Sequence, residues 1–215
     1  MSLQLYDSLD ALPLSLRVYG ASDYATMDPR PGKKEPDFSE HGIWGMDRKG
    51  ELWAIDWWSK QCETDVSIAA FIKLIRKHKP IRWFNEGGLI DKAIGPNIRK
   101  EMRRNRAYTA IESLPSLQDK SIKLQAFHAM VTAGAVHMPD PRVCKWSDDV
   151  ITQLIKFPGG RWDDKADTCG LIGRGVDKMN DANVPSETRK PDLIPFTAAW
   201  LEYNDGKDKP KVRYF

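Results

Sequence analysis

The sequence predicts an α/β fold built on a mixed β-sheet flanked by helices. Three observations carry this prediction: a buried-strand pattern at Leu16–Gly20, a hairpin pattern over residues 41–58, and apolar runs that then alternate with helical patterns. Antiparallel strands can follow one another through tight turns, whereas parallel strands need a longer crossover, usually a helix. We therefore expect three antiparallel strands followed by helix-linked parallel strands.

The first half of the chain supplies these elements in order. The strand at Leu16–Gly20 leads to Asp23, and a proline-containing polar stretch over residues 27–39 predicts a loop. In the hairpin, Gly50 closes the turn, a position where such turns often need a positive φ. Helices and strands then alternate: a helix capped by Thr64 and stopped by Pro80, a strand at Ile81–Glu86, a helix at Leu89–Arg104 bent near Pro96, and a strand at Tyr108–Ile111.

The second half is predicted to be mainly helical. A helix over residues 119–133 ends at Gly134, a short strand follows at residues 135–138, and Ser147 is the expected cap of a short helix. The last helix runs from near Asp163 to near Val176. We divide the chain into an N-terminal extension (1–15), one domain (16–178) and an extended tail (179–215), in which residues 194–203 form an apolar patch.

Composition excludes several classes of protein. No apolar run among the 215 residues approaches the ~20 needed to cross a bilayer, and no signal peptide pattern is visible, so we expect no membrane partner. The three cysteines lack CxxC spacing, which argues against a disulfide framework or a zinc site and favours a reducing cytoplasm. A net charge of +3 is by itself weak support for a nucleic-acid partner.

Acidic residues stand at the ends of three predicted elements. Asp23 follows the first strand, Glu86 ends a later strand, and a third group opens the last helix: Asp163, Asp164 and Asp167. Hard oxygen ligands with few histidines or cysteines nearby suit Mg²⁺ or Mn²⁺ rather than zinc. Two such ions ~3.5–4 Å apart hydrolyse phosphodiesters, one activating water and the other stabilising the leaving oxygen. The pattern therefore indicates a metal-dependent nuclease.

Each acidic site also has an ordinary structural interpretation. A lone aspartate at a strand end is most often a turn former, and paired aspartates at a helix start stabilise the helix dipole, as Asp148 and Asp149 are expected to do. On a helix, residues 163 and 167 share a face while 164 points about 100° away. We favour Asp164 and Asp167 as the pair near the metals, with Asp163 serving partly as a helix-start charge.

Five segments together point to a known family. They are YGASDYA at 19–25, EHGIWGMDRKGELWAIDWW at 40–58, FNEGG at 84–88, DKSIKLQAFHAMVTAGAVHMPD at 119–140 and WDDKADTCGLIGR at 162–174. In this order they resemble the ribonuclease H-like fold and, within it, the C-terminal nuclease domain of bacteriophage large terminase subunits, over about residues 16–178. The last segment is similar to that family's histidine–Asp–Asp–x–x–Asp–Ala run, with Trp162 and Thr168 replacing the histidine and the alanine.

This resemblance implies a two-metal endonuclease that cuts concatemeric viral double-stranded DNA during genome packaging in the host cytoplasm. Asp23 would be the first metal ligand and Glu86 the second, with the third from the group at 163, 164 and 167; the ions would be two Mg²⁺ or Mn²⁺. The sequence contains no G-x-x-x-x-G-K-[ST] loop. We therefore expect the ATPase domain to lie in a longer polypeptide from which this domain is excised, or, less favoured, in a separate chain. A small terminase subunit and a portal protein are the further expected partners.

Basic residues on the second helix are candidates for DNA contact. Such a run is either a solvated helix face or a track for phosphates, and the sequence does not separate the two. The expected DNA-binding residues are Arg99, Lys100, Arg103, Arg104 and, on the next helix, Lys120. Two other functions remain open: another ribonuclease H-like nuclease, such as a junction resolvase or transposase core, and a non-catalytic module that docks on DNA or on a portal.

Overall fold

The computed structural model describes residues 3–25 and 35–179, without the side chains of residues 89–91 and 120. Its strands are β1 Gln4–Tyr6, β2 Arg17–Asp23, β3 Ser39–Met46, β4 Leu52–Lys60, β5 Arg82–Glu86, β6 Ala110–Leu114 and β7 Val136–Pro139. Its helices are α1 Thr64–His78, α2 Leu89–Asn105, α3 Lys120–Thr132, α4 Lys145–Lys156 and α5 Asp164–Gly175, with short 3₁₀ turns at Leu9–Ala11 and Val176–Lys178.

Within the described residues the strands form one mixed sheet in the order β1-β7-β4-β3-β2-β5-β6. Strands β2, β3 and β4 pair antiparallel, whereas β5 lies parallel to β2 and β6 parallel to β5. This confirms the predicted sheet of antiparallel followed by parallel strands. The hairpin turn is also confirmed: Gly50 has a φ of 78°, and the side chain of Asp47 accepts hydrogen bonds from the main-chain N–H groups of Lys49 and Glu51.

The sheet separates two hydrophobic cores. On one face, Tyr19, Ala21 and Phe84 pack beneath α3, α4 and α5. On the other face, Ile43 and Trp83 pack beneath α1 and α2. Because side chains alternate along a strand, residues 19, 21 and 23 of β2 and residues 84 and 86 of β5 point to the α3–α5 side. This alternation directs the acids at the strand ends toward α5.

Helices α3 and α5 touch through their backbones. A methyl group on Gly173 would lie 2.4 Å from the main-chain nitrogen of Phe127, and glycine also occupies position 170 one turn earlier. Without side chains at these positions, α5 can lie directly against α3. The glycines of the segment that opens at residue 162 therefore fix how the last helix sits over the sheet.

Several predicted boundaries differ from those in the structure. The N-cap of α1 is Glu63 rather than Thr64, and it makes no side-chain capping hydrogen bond. Ser147 lies inside α4, where its hydroxyl donates to the carbonyl oxygen of Pro139 at 2.5 Å, so it does not cap that helix. Strand β1 was not predicted because three residues are too few to show a pattern. The apolar patch at 194–203, most of the loop at 27–39 and the side chain of Lys120 lie outside the described residues.

Candidate active site

Asp23 and Glu86 end two neighbouring parallel strands. In the β2–β5 pair Ser22 lies opposite Asn85, so the residues that follow, Asp23 and Glu86, stand side by side where both strands end. Both continue the alternating rows that face α3 and α5. The structure thus brings these two predicted site residues together at one edge of the sheet.

Helix α5 begins at the same edge and adds two more carboxylates. It starts at Asp164, and Asp167 lies one turn later on the same face. The carboxylate of Asp164 accepts a hydrogen bond from the main-chain N–H of Phe38 at 3.3 Å. Asp163 is buried at the N-cap and makes no side-chain capping hydrogen bond. The shared face predicted for 163 and 167 does not apply, because the helix begins only at residue 164.

The pKa of Asp23 reports how close these acids are. Burial raises the pKa of this carboxyl well above its ordinary value, and Asp167, Asp164 and Glu86 raise it further, in that order. The ammonium of Lys123 acts in the opposite direction. Like charges gathered in a buried place disfavour ionisation, and cations relieve the effect. Four of the predicted acids therefore form one electrostatic cluster around Asp23.

Lys123 is a site residue that the sequence analysis missed. From α3 its ammonium reaches both carboxylate oxygens of Glu86 at 3.0 Å and lies 3.9 Å from the Oδ2 of Asp167. Ser116 also donates a hydrogen bond to Glu86, at 2.8 Å. Nothing local distinguishes Lys123 from Lys120 in the sequence, since both are lysines on a helix with polar neighbours. Only the packing of α3 against α5 selects position 123.

The residue types of the cluster fit Mg²⁺ or Mn²⁺, because every donor around Asp23 is a carboxylate oxygen. Within the described residues, however, no three acidic, histidine or cysteine side chains stand close enough to hold an ion as they are placed. The ammonium of Lys123 pairs with Glu86 and lies near Asp167. Binding of a metal ion would therefore require this ammonium to move aside and the carboxylates to close inward.

A buried ion pair supports the start of α5. Glu40 lies opposite Asp23 across β2 and β3 and is fully buried. Lys165, which follows Asp164 in the chain, donates to Oε1 of Glu40 at 2.9 Å. Trp57 donates to Oε2 of Glu40 at 2.6 Å. Burial raises the pKa of Glu40, while Lys165 and the donors around the carboxylate oppose that rise. Neither Glu40 nor Lys165 was singled out from the sequence, because each has a role at the site only through its contact with the other.

A chain of hydrogen bonds on the opposite face fixes the end of β2. Trp83 donates to the hydroxyl of Ser22 at 2.7 Å, and that hydroxyl lies 2.7 Å from the Nδ1 of His41. The carbonyl oxygen of Ser67 lies 3.0 Å from Nε2 and can only accept, so Nε2 carries a proton. In the neutral ring Nδ1 then accepts from the hydroxyl of Ser22. Burial lowers the pKa of His41 to about 4. The histidine is therefore neutral near pH 7.

The basic residues of α2 are not part of this cluster. Their helix packs through Ile94, Ile98 and Met102 into the core on the other face of the sheet. At 1.5 Å per residue, Arg99 and Arg104 lie roughly 15 and 22 Å along the helix from its start, which follows β5. The four side chains proposed to bind DNA are all exposed: Arg99, Lys100, Arg103 and Arg104.

In the part of the chain that the structure describes, no helix is both long enough and apolar enough to cross a membrane. No family model and no curated protein matches the sequence.

Solved structures do share the fold. The human cytomegalovirus terminase nuclease domain, soaked with manganese and bound to an inhibitor, has a TM-score of 0.56 at 13% identity, over 80% of this chain and 89% of that one. The large terminase nuclease of thermophilic phage G20c with bound magnesium has a TM-score of 0.55 at 12% identity, over 81% and 92%. A large terminase subunit variant from bacteriophage Sf6 with calcium has a TM-score of 0.53 at 8% identity, over 77% and 91%. The chain therefore has the ribonuclease H-like fold found in the terminase nuclease domains of phages and of human cytomegalovirus.

Proposed function

We propose that this chain is a divalent-metal-dependent endonuclease that cleaves double-stranded viral DNA during genome packaging. The observation that carries the proposal is the convergence of Asp23, Glu86, Asp164 and Asp167 at one edge of the sheet. Strongly perturbed pKa values concentrate at functional sites, and burial together with the neighbouring carboxylates raises the pKa of Asp23 well above its ordinary value. The nuclease of phage G20c, which shares the fold, was solved with bound magnesium.

Each residue has a distinct task in this proposal. The four carboxylates would hold two Mg²⁺ or Mn²⁺ ions, which would supply an activated water and stabilise the leaving oxygen. Asp163, buried beside them at the N-cap of α5, is our candidate for a further, weaker ligand. In the metal-free protein Lys123 holds Glu86 in place and offsets part of the negative charge. The ion pair of Glu40 with Lys165 fixes the position from which Asp164 projects.

Cleavage of a supercoiled plasmid tests the proposal. The purified chain should cut in Mg²⁺ or Mn²⁺ and should not cut in EDTA. Asp23→Asn and Glu86→Gln should each lower the rate by more than the ~100-fold typical of lost outer-shell partners of a metal. Asp148→Asn is the matched control, because Asp148 also stands in the first turn of a helix but is exposed and is not among the acids that raise the pKa of Asp23.

The unfolding midpoint in EDTA shows whether a variant has lost cleavage activity alone or has also lost stability. Asp23→Asn removes a buried charge from among three other carboxylates, so its midpoint should be no lower than that of the wild type. Near-normal cutting by Asp23→Asn or Glu86→Gln would overturn the assignment. So would cutting that persists in EDTA.

The biological setting is also part of the proposal. We infer that an ATPase domain, a small terminase subunit and a portal protein direct this nuclease to its cutting sites. Linear duplex should then be cut at least as readily as a four-way junction. A strong preference for the junction would favour a resolvase instead. Failure to bind Mn²⁺ in calorimetry would favour a non-catalytic docking module.

A further inference from the structure

A cavity of about 650 Å³ lies beside the acidic cluster. This volume is within the range of pockets that bind small ligands. Its lining is rich in aromatic side chains, with cations among them: Phe38, Trp57, Trp58, Ser59, Trp146, Asp149, Thr152, Gln153, Lys156, Gly160, Arg161, Trp162 and Lys165. We call it the aromatic pocket.

One face of α4 forms one side of the aromatic pocket. Trp146, Asp149, Gln153 and Lys156 recur at intervals of three and four residues, which places them on one face of the helix. The hydrophobic side chains of Val150 and Leu154 form the neighbouring stripe of the helix and are buried in the core. Helix α4 therefore turns an aromatic and polar surface toward the cavity.

Aromatic rings also line the other parts of the cavity. Phe38 and Trp162 meet edge to face with their ring centroids 5.3 Å apart, and the guanidinium of Arg161 lies 5.2 Å from the centroid of Trp162. Trp57 and Trp146 are stacked, with centroids 6.0 Å apart and 24° between their planes. Flat rings from four separate segments of the chain thus border one space.

Three residues that line the aromatic pocket are bonded to, or next in the chain to, acids at the start of α5. Trp162 precedes Asp163 in the chain, and the main-chain N–H of Phe38 donates to the carboxylate of Asp164. Lys165, which lines the cavity, follows Asp164 and pairs with Glu40. A DNA strand with a phosphate at the carboxylates would therefore have its neighbouring nucleotides within reach of the cavity.

We propose that the aromatic pocket binds an unpaired base of the DNA strand next to the phosphate that is cleaved. The proposal rests on the proposed nuclease function. Bases stack on aromatic side chains whatever their sequence, and Lys156 and Arg161, both exposed, are placed to contact the flanking phosphates. Asp149 and Gln153 offer polar groups to the edge of the base.

The base must be unpaired, since a base inside a duplex has both faces stacked and its edge paired. Arg161 pairs with Glu35 at 3.0 Å, but both side chains are mostly exposed, so the guanidinium can exchange that partner for a phosphate at little cost. Trp162 is the residue that stands between the cavity and the acids.

Binding of short single strands in EDTA tests the proposal without requiring cleavage. The probes are a fluorescein-labelled eight-nucleotide oligothymidine and a chain of the same length that has sugars and phosphates but no bases. The wild type should bind the oligothymidine at least ~10-fold more tightly, the size expected for stacking one base. Trp162→Leu and Trp146→Leu should lose most of that preference, whereas Trp162→Phe should keep much of it.

Tyr108→Leu is the matched control, because Tyr108 is an aromatic residue 62% exposed elsewhere on the protein, and it should leave the preference intact. Equal affinity of the wild type for both probes would overturn the proposal. It would also be overturned if both leucine variants kept the preference for the oligothymidine while their unfolding midpoints matched that of the wild type. The outcome is separable from the nuclease assignment. Asp23→Asn should retain the preference for bases, and a chain that prefers bases but never cuts plasmid would refute the nuclease and not the pocket.

Discussion

A methyl group placed on Gly170 would lie 2.8 Å from the main-chain oxygen of Lys123. Helices α3 and α5 are thus in backbone contact at the turn whose lysine reaches Glu86 and approaches Asp167. The spacing between the ammonium and the carboxylates is therefore set by the absence of a side chain at residue 170.

Gly170→Ala should disturb both stability and cutting. The added methyl meets backbone, which cannot rotate away, so α3 and α5 must separate and the free energy of unfolding should fall by about 1–3 kcal/mol. Urea unfolding measures the change. Gly159→Ala is the control, since its methyl would meet only a carbonyl oxygen at 3.7 Å, an ordinary contact. An unchanged midpoint for Gly170→Ala would show that the two helices are not constrained here.

Lys123→Met should separate the two effects of the ammonium. The variant keeps the length of the side chain but removes the charge that neutralises Glu86, so the metal-free protein should lose about 2 kcal/mol of stability. The same change leaves the carboxylates more negative, so calorimetry should show Mn²⁺ binding several-fold more tightly. Lys100→Met, at an exposed position on α2, should change neither quantity. Weaker Mn²⁺ binding by Lys123→Met would mean that the lysine assists the ion rather than competing with it.

His41 should make stability fall in acid. Its pKa is lowered by burial to about 4, from an ordinary value of 6.5. Between pH 6.5 and pH 4 the histidine is protonated in the unfolded chain but stays neutral in the folded protein. The free energy of unfolding therefore decreases as the pH falls through this range, by about 3 kcal/mol at most. His41→Gln can accept from Ser22 and donate to Ser67 but cannot titrate. The gap between the wild-type and variant curves of unfolding free energy against pH should therefore change across this window, and parallel curves would contradict the assignment.

The exposed arginines of α2 should contribute to binding of long duplexes. If Arg99 and Arg103 contact phosphates beside the cleavage site, Arg99→Gln/Arg103→Gln should reduce the slope of log affinity against log salt by about two. Lys73→Gln/Arg76→Gln removes two exposed charges from α1 on the same side of the sheet and should leave the slope unchanged. Equal slopes for the two double variants would assign the α2 residues to an ordinary solvated face.

The parts of the site that follow from strand order could be predicted from the sequence. Asp23 and Glu86 end apolar runs whose parallel pairing follows from the helix between them, and Asp164 follows from the same logic at a helix start. Lys123 and Glu40 could not be found in that way. Their roles depend on contacts between segments far apart in the chain, which no local pattern records. The predicted cap at Ser147 failed for a related reason, because its hydroxyl donates to the carbonyl oxygen of Pro139. Helix α1 begins one residue earlier than predicted, with Glu63 at its N-cap.

The first strand, β1, pairs with the last strand, β7, at one edge of the sheet, where Gln4 lies beside His137. Strands β2, β3 and β4 can pair once residue 60 has been made, whereas β1 has no partner until β7 exists. The acids are also synthesised far apart in time, because Asp23 belongs to the second strand and Asp164 to the last helix. Contacts between such distant residues form late, since the intervening loop must be ordered first. On a growing chain the mutually repelling carboxylates would therefore meet only after the sheet that holds them is nearly complete.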